Sequence, residues 1–139
     1  MYKKIGILLV GIVVLGGEGI YYAHTSQESL PTNTARMLES VNATVFDTRN
    51  AEQQRIIIDV RTPQEFSSGH LEGAHNIDFY STEFTDTIST LDTSAAYSVY
   101  CRSGNRSGQT LELMESLGFT DVLDLEGGIA AWVESGKPL

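Results

Sequence analysis

The chain of 139 residues holds one cysteine, Cys101, one tryptophan and three prolines, and only 9 lysines and arginines against 18 aspartates and glutamates. Each shortage excludes something. One cysteine cannot close an internal disulfide or supply a cysteine-rich zinc site, so Cys101 is a free thiol and no metal is implied. A formal net charge of -9, with no basic run beyond the first few positions, excludes nonspecific nucleic-acid binding. The same charge repels any anionic substrate from the protein as a whole, so such a substrate needs a local cationic pocket.

Long hydrophobic runs are also scarce. The one that stands out follows Met1-Tyr2-Lys3-Lys4 and covers residues 5–15, before Gly16-Gly17-Glu18-Gly19 and Ile20-Tyr21-Tyr22-Ala23. A short cationic start and a short apolar run read as an export signal. The run alone is too short for a membrane span, which needs about 20 apolar residues. Carried on to Ala23 it is long enough, with Glu18 and several glycines near its outer end. Residues 1–23 are therefore read as a signal peptide or an uncleaved membrane anchor. Either reading keeps Lys3 and Lys4 on the cytoplasmic side and puts the remainder outside, in a periplasm or at the cell surface. Membrane contact is then confined to residues 5–23, and only if they are retained. An unpaired cysteine is a hazard in an oxidising compartment unless the thiol has work to do.

Residues 24–40 turn polar, with Thr25-Ser26-Gln27, Pro31 and Thr32-Asn33-Thr34, and read as a linker. Residues 35–41 are expected to start a short helix leading into a single domain over residues 41–139. About a hundred residues can bury roughly two-thirds of the surface of the unfolded chain, enough to fold without metal or disulfide.

Four apolar stretches within that domain read as strands: residues 44–46, 56–60, 97–101 and 121–125, with 76–78 a short addition. Ile56-Ile57-Ile58 runs without alternation, as in a strand buried on both faces of a parallel sheet. Thr62-Pro63-Gln64-Glu65 is a capping box with proline at the first helical position, so a helix starts there. Leu111, Met114 and Leu117 recur at helical spacing before Gly118, giving a helix over residues 106–117, and a last one covers residues 128–134. Alternating strands and helices define an α/β domain with a parallel sheet covered on both faces. Ligands in such folds bind at the carboxyl ends of strands, where Cys101 lies.

The segment Cys101-Arg102-Ser103-Gly104-Asn105-Arg106-Ser107 closes a strand and opens a helix. Gly104 and Asn105 tolerate the positive φ of a tight cradle. Successive N–H groups and the positive end of the following helix make an anion nest. Arg102 and Arg106 can add charge, and Ser103 and Ser107 can add hydroxyl donors. Such a field lowers a thiol pKa from about 8.5 into a range of roughly 3.5–7.5, making Cys101 a thiolate nucleophile.

Four ordered signatures resemble those of the rhodanese domain: Ile56-Ile57-Ile58-Asp59-Val60-Arg61-Thr62-Pro63-Gln64-Glu65-Phe66; Gly69-His70-Leu71-Glu72-Gly73-Ala74-His75-Asn76-Ile77; the Cys101 loop; and Gly118-Phe119 with Leu125-Glu126-Gly127-Gly128-Ile129-Ala130-Ala131-Trp132. The resemblance implies a five-stranded parallel sheet flanked by helices and a sulfurtransferase in which Cys101 carries a persulfide. The donor is a small sulfur-containing anion such as thiosulfate, and the acceptor is cyanide, a thiol or a protein. No cofactor is implied. The stretch before Ile56 departs from the family pattern, being short and polar.

The remaining residues take supporting or open roles. Asp59 and Arg61 are read as structural support through loop hydrogen bonds or an ion pair, with Glu72 a candidate partner. Trp132 is read as core or pocket wall, and His70 and His75 as turn caps. Two other readings compete: a noncatalytic persulfide relay, and a cysteine phosphatase or arsenate reductase. Those phosphatase loops place five residues between Cys and Arg, usually after a His. Here four separate Cys101 from Arg106 and Tyr100 precedes, so the loop is tight for phosphate.

Overall fold

The structure, a computed structural model, describes residues 36–139. The expectations for residues 1–23, and for the linker up to residue 35, lie outside the described residues. Five strands form one sheet in the order β1-β5-β4-β2-β3, with every pairing parallel. They are β1 (Met37–Val41), β2 (Ile56–Asp59), β3 (His75–Asn76), β4 (Ala96–Tyr100) and β5 (Asp121–Leu125). The helices between them are α1 (Ala43–Gln53), α2 (Pro63–Ser67), α3 (Phe84–Ser89), α4 (Asn105–Ser116) and α5 (Gly128–Glu134).

Two apolar clusters cover the two faces of the sheet, and side chains alternate between them along each strand. Val60, Tyr97, Val99, Cys101 and Val122 pack with Phe84 and Ile88 of α3 and Met114 of α4. Tyr100, Leu123 and Leu125 pack on the other side with Phe46 of α1 and with Ile129 and Trp132 of α5. The α/β sheet with helices on both faces is as expected. The capping box is also present: the Glu65 N–H donates to Thr62 Oγ1 at 3.3 Å, and the Thr62 N–H donates to Glu65 Oε2 at 3.0 Å.

The entrance to the domain reverses two expectations. Residues 35–41 were expected to be helical, yet Met37–Val41 forms β1 and pairs in register with β5 from Met37↔Asp121 to Val41↔Leu125. Met37, Leu38 and Glu39 are good helix formers, but a free sheet edge offers them a ladder of hydrogen bonds, and tertiary pairing outweighs propensity. Residues 37–40 thus belong to the sheet, not to the linker. Residues 44–46 were expected to be a strand, yet they open α1, because the Asn42 side chain accepts from the N–H groups of Thr44 and Val45 at 3.1 Å each. Two smaller shifts accompany these. The third strand is His75–Asn76 instead of residues 76–78. The Ile56-Ile57-Ile58 run is buried fully only at Ile58, with Ile56 exposed at the strand's start.

Candidate active site

Cys101 follows the last residue of β4 and is 1% exposed. Its Sγ accepts from the Gly104 N–H at 3.1 Å and from the Ser107 hydroxyl at 3.4 Å. Burial pushes the thiol pKa up, but the Ser107 hydroxyl and the backbone N–H groups of Ser107, Ser103 and Gly104 outweigh it, so the pKa lies below that of an ordinary thiol. The direction agrees with the expected thiolate. Its cause is local hydrogen bonding to the charged form more than the field of the two arginines.

The loop is held open by glycine. Gly104 has φ +93°, and a Cβ there would lie 3.3 Å from the Gly127 nitrogen. Gly128 packs against the back of the loop, where a Cβ would meet the Cys101 carbonyl oxygen at 2.4 Å and the Arg102 carbonyl carbon at 2.6 Å. Freed to approach so closely, the start of α5 binds the loop: the Ile129 N–H donates to the Cys101 carbonyl at 2.8 Å and the Ala130 N–H to the Arg102 carbonyl at 3.2 Å. The Gly127-Gly128 pair stood in the sequence as part of a signature, without an assigned role.

The two arginines of the loop differ. Arg102 is exposed and makes no ion pair, whereas every other lysine and arginine among the described residues does. Arg106 is held by Glu65 through two bonds, 2.8 Å from Nη1 and 2.9 Å from Nη2, and lies 5.5 Å above the Tyr80 ring. The Arg106 guanidinium holds the Glu65 carboxyl at a pKa of about 2, and Glu65 in turn raises that of Arg106. Arg106 therefore reaches the loop already neutralised. Ser103 and Asn105 are exposed at the rim, while Ser107 is buried beneath Sγ. Neither Glu65 beyond its capping role nor Tyr80 carried a signal toward the site in the sequence.

The supporting residues lie further away. Asp59 and Arg61 form a buried pair, with Nε 2.9 Å and Nη2 2.6 Å from Asp59 Oδ2, and Nη2 also donates to the Gly69 carbonyl at 2.7 Å. Glu72 takes no part in it. The Arg61 guanidinium is 5.6 Å from the Tyr100 ring centroid, on the side of the sheet away from Cys101. Trp132 is core on that same far side, edge-on to Phe46 at 6.2 Å, with Nε1 donating to the Pro138 carbonyl at 2.8 Å. It is not a wall of the Cys101 site and supports it only by anchoring α5. His70 stacks on Phe66 with its Nδ1 3.0 Å from the Phe66 carbonyl, a helix-end cap. His75 lies in β3 instead of in a turn.

Residues 30–135 match the model of the rhodanese-like domain family, and the chain belongs to that family. It is similar to a protein of Pseudomonas fluorescens named thiosulfate sulfurtransferase GlpE, 35% identical over 81 residues that are 58% of this chain and 72% of that one. A protein of the same name from Pseudomonas aeruginosa is 37% identical over 76 residues, 55% of this chain and 67% of its own. Among solved structures, a rhodanese-related protein of Thermoplasma volcanium aligns with a TM-score of 0.63 at 33% identity, covering 72% of this chain and 95% of that one. The human single-domain sulfurtransferase TSTD1, at 22% identity and a TM-score of 0.59 over 68% of this chain and 95% of its own, shares the fold.

Proposed function

We propose that this rhodanese-family sulfurtransferase uses Cys101 to move a sulfane sulfur from thiosulfate, or a donor like it, to a thiophilic acceptor such as cyanide or a thiol. The observation that carries this reading is the Cys101 sulfur at the floor of a loop whose amide and hydroxyl donors converge on it. The names of the Pseudomonas relatives support thiosulfate as the donor.

In the first step the Cys101 thiolate attacks the outer sulfur of thiosulfate. A new S–S bond forms, the bond within thiosulfate breaks, and sulfite leaves with the bonding pair. The terminal persulfide sulfur is then anionic and is stabilised by the N–H groups of the loop. In the second step the acceptor attacks that terminal sulfur, and the Cys101 thiolate is the leaving group.

Arg102 is assigned the attraction of the dianion, since it is the cation at the rim with no carboxylate of its own. Arg106, paired with Glu65, is assigned the shape of the loop and a smaller share of the charge. Ser103, Gly104, Asn105 and Ser107 are assigned to the wall around the terminal sulfur. Residues 1–23 support a place for the domain outside the cytoplasm, exported or anchored. Steady-state kinetics with thiosulfate and cyanide test the scheme: parallel double-reciprocal lines are expected, and intersecting lines would overturn the two-step covalent route.

A further inference from the structure

Arg106 is the second cation of the Cys101 loop, yet its charge is already engaged. Glu65 Oε2 accepts from Nη1 at 2.8 Å and Oε1 from Nη2 at 2.9 Å, so one carboxylate spans both terminal nitrogens. The Tyr80 ring centroid lies 5.5 Å from the guanidinium carbon, and only 12% of the Arg106 side chain is exposed. A guanidinium fork grips a carboxylate and a sulfate or phosphate in the same two-pronged way. The Glu65 carboxylate thus sits where a tetrahedral oxyanion would bind Arg106.

Glu65 is itself fixed. Its Oε2 also accepts from the Thr62 N–H at 3.0 Å, and its own N–H donates to Thr62 Oγ1 at 3.3 Å, so the capping box of α2 holds the carboxylate in place. An incoming anion has to displace a charged group secured by a helix start and by two charge-assisted bonds. Arg102, by contrast, is exposed and makes no ion pair among the described residues. At the sulfur the donors are neutral: the Gly104 N–H at 3.1 Å and the Ser107 hydroxyl at 3.4 Å.

We propose that Glu65 is a positioning residue that sets the anion specificity of the loop: by filling the fork of Arg106 it keeps tetrahedral oxyanions, sulfate and phosphate among them, from settling over Cys101. The inference rests on the reading of the Cys101 loop as the place where an anionic sulfur donor binds. Thiosulfate has an oxygen-bearing end and an outer sulfur, and Cys101 attacks the sulfur. A free guanidinium fork in the loop favours the oxygens, holding thiosulfate by the wrong end and retaining the sulfite that leaves. With the fork filled, the neutral donors of the nest are left to receive the sulfur.

The test is protection of Cys101 from iodoacetamide by inorganic sulfate, in the full chain at constant ionic strength. Wild type is compared with Glu65→Gln, with Glu65→Gln/Arg106→Lys and with Glu65→Asp, each normalised to its own rate without sulfate. Iodoacetamide is neutral, so protection reports occupancy of the loop. Glu65→Gln is expected to lower the sulfate concentration for half-protection by about tenfold, the worth of one charge-assisted hydrogen bond. Arg106→Lys keeps the charge and removes the fork, so the double variant should lose most of that gain. No gain in Glu65→Gln, or an equal gain in the double variant, would overturn the proposal. A merely structural role for Glu65 predicts the reverse, since a loosened loop binds sulfate less well. Should Glu65→Gln fail to fold, Glu65→Asp keeps the charge, draws the carboxylate back by one methylene and should still lower the concentration by about threefold; no change there would be equally contrary. Sulfur loading from thiosulfate, measured on the same wild-type sample, separates the two claims. A protein that does not load fails as a sulfurtransferase, whatever the sulfate concentrations show.

Discussion

Cys101 and its neighbours act within hydrogen-bond reach, so their predictions are residue by residue. With burial opposed by the Ser107 hydroxyl and the N–H groups of the loop, the alkylation midpoint of wild-type Cys101 should fall below that of a free thiol, about 8.5. Arg102→Gln should raise KM for thiosulfate by about tenfold with a smaller effect on kcat, since it removes an attraction present before the reaction begins. Equal losses in kcat and kcat/KM would instead place Arg102 on the leaving sulfite. Glu65 predicts a stability effect. Its folded pKa of about 2 lies below the unfolded value near 4.5, so its contribution is complete above pH 4.5 and is lost as pH falls toward 2. Glu65→Gln should destabilise the domain by about 1–2 kcal/mol at neutral pH, allowing for partial exposure of the pair, and should flatten the acid limb of urea midpoints measured against pH.

Among the elements, the junction of the Cys101 loop with α5 is the tightest. Gly128→Ala brings a methyl against the Cys101 carbonyl in a backbone with φ +61°, where an L side chain is strained whatever the space. The expected result is a thermal midpoint lowered by several degrees together with loss of activity, because relief of the clash must move the loop. Gly136→Ala, also at positive φ but with nothing within 4 Å, should cost stability without touching turnover. The elements near the site were largely legible in the sequence, since Thr62 and Glu65, the Leu111, Met114 and Leu117 spacing, and the strand-to-helix step at Cys101 are local signals. β1 and α1 were not. Whether Met37–Val41 is strand or helix depends on the β5 edge lying some 80 residues away, and no local pattern carries that. The Arg106 and Glu65 pairing was hidden for the same reason: it joins two helix starts that sequence reads separately.

For the whole molecule, the net charge of -9 works against an anionic donor, and the local donors of the loop must overcome it. The two effects separate with salt. In Arg102→Gln, where little attraction remains, kcat/KM for thiosulfate should rise between about 0.01 and 0.1 M ionic strength as repulsion is screened. A fall would mean that other cations guide the substrate. The sheet itself does the rest by holding the carboxyl end of β4, the first turn of α4 and the start of α5 against one another, so that the fold delivers donors to a single sulfur. The central claim is that this sulfur accepts another. Mass measurement of the intact protein after exposure to thiosulfate tests it most directly. Wild type should gain the mass of one sulfur atom and lose it again on addition of cyanide, with Cys101→Ser gaining none; an unchanged wild-type mass, or a gain that survives in Cys101→Ser, would contradict it.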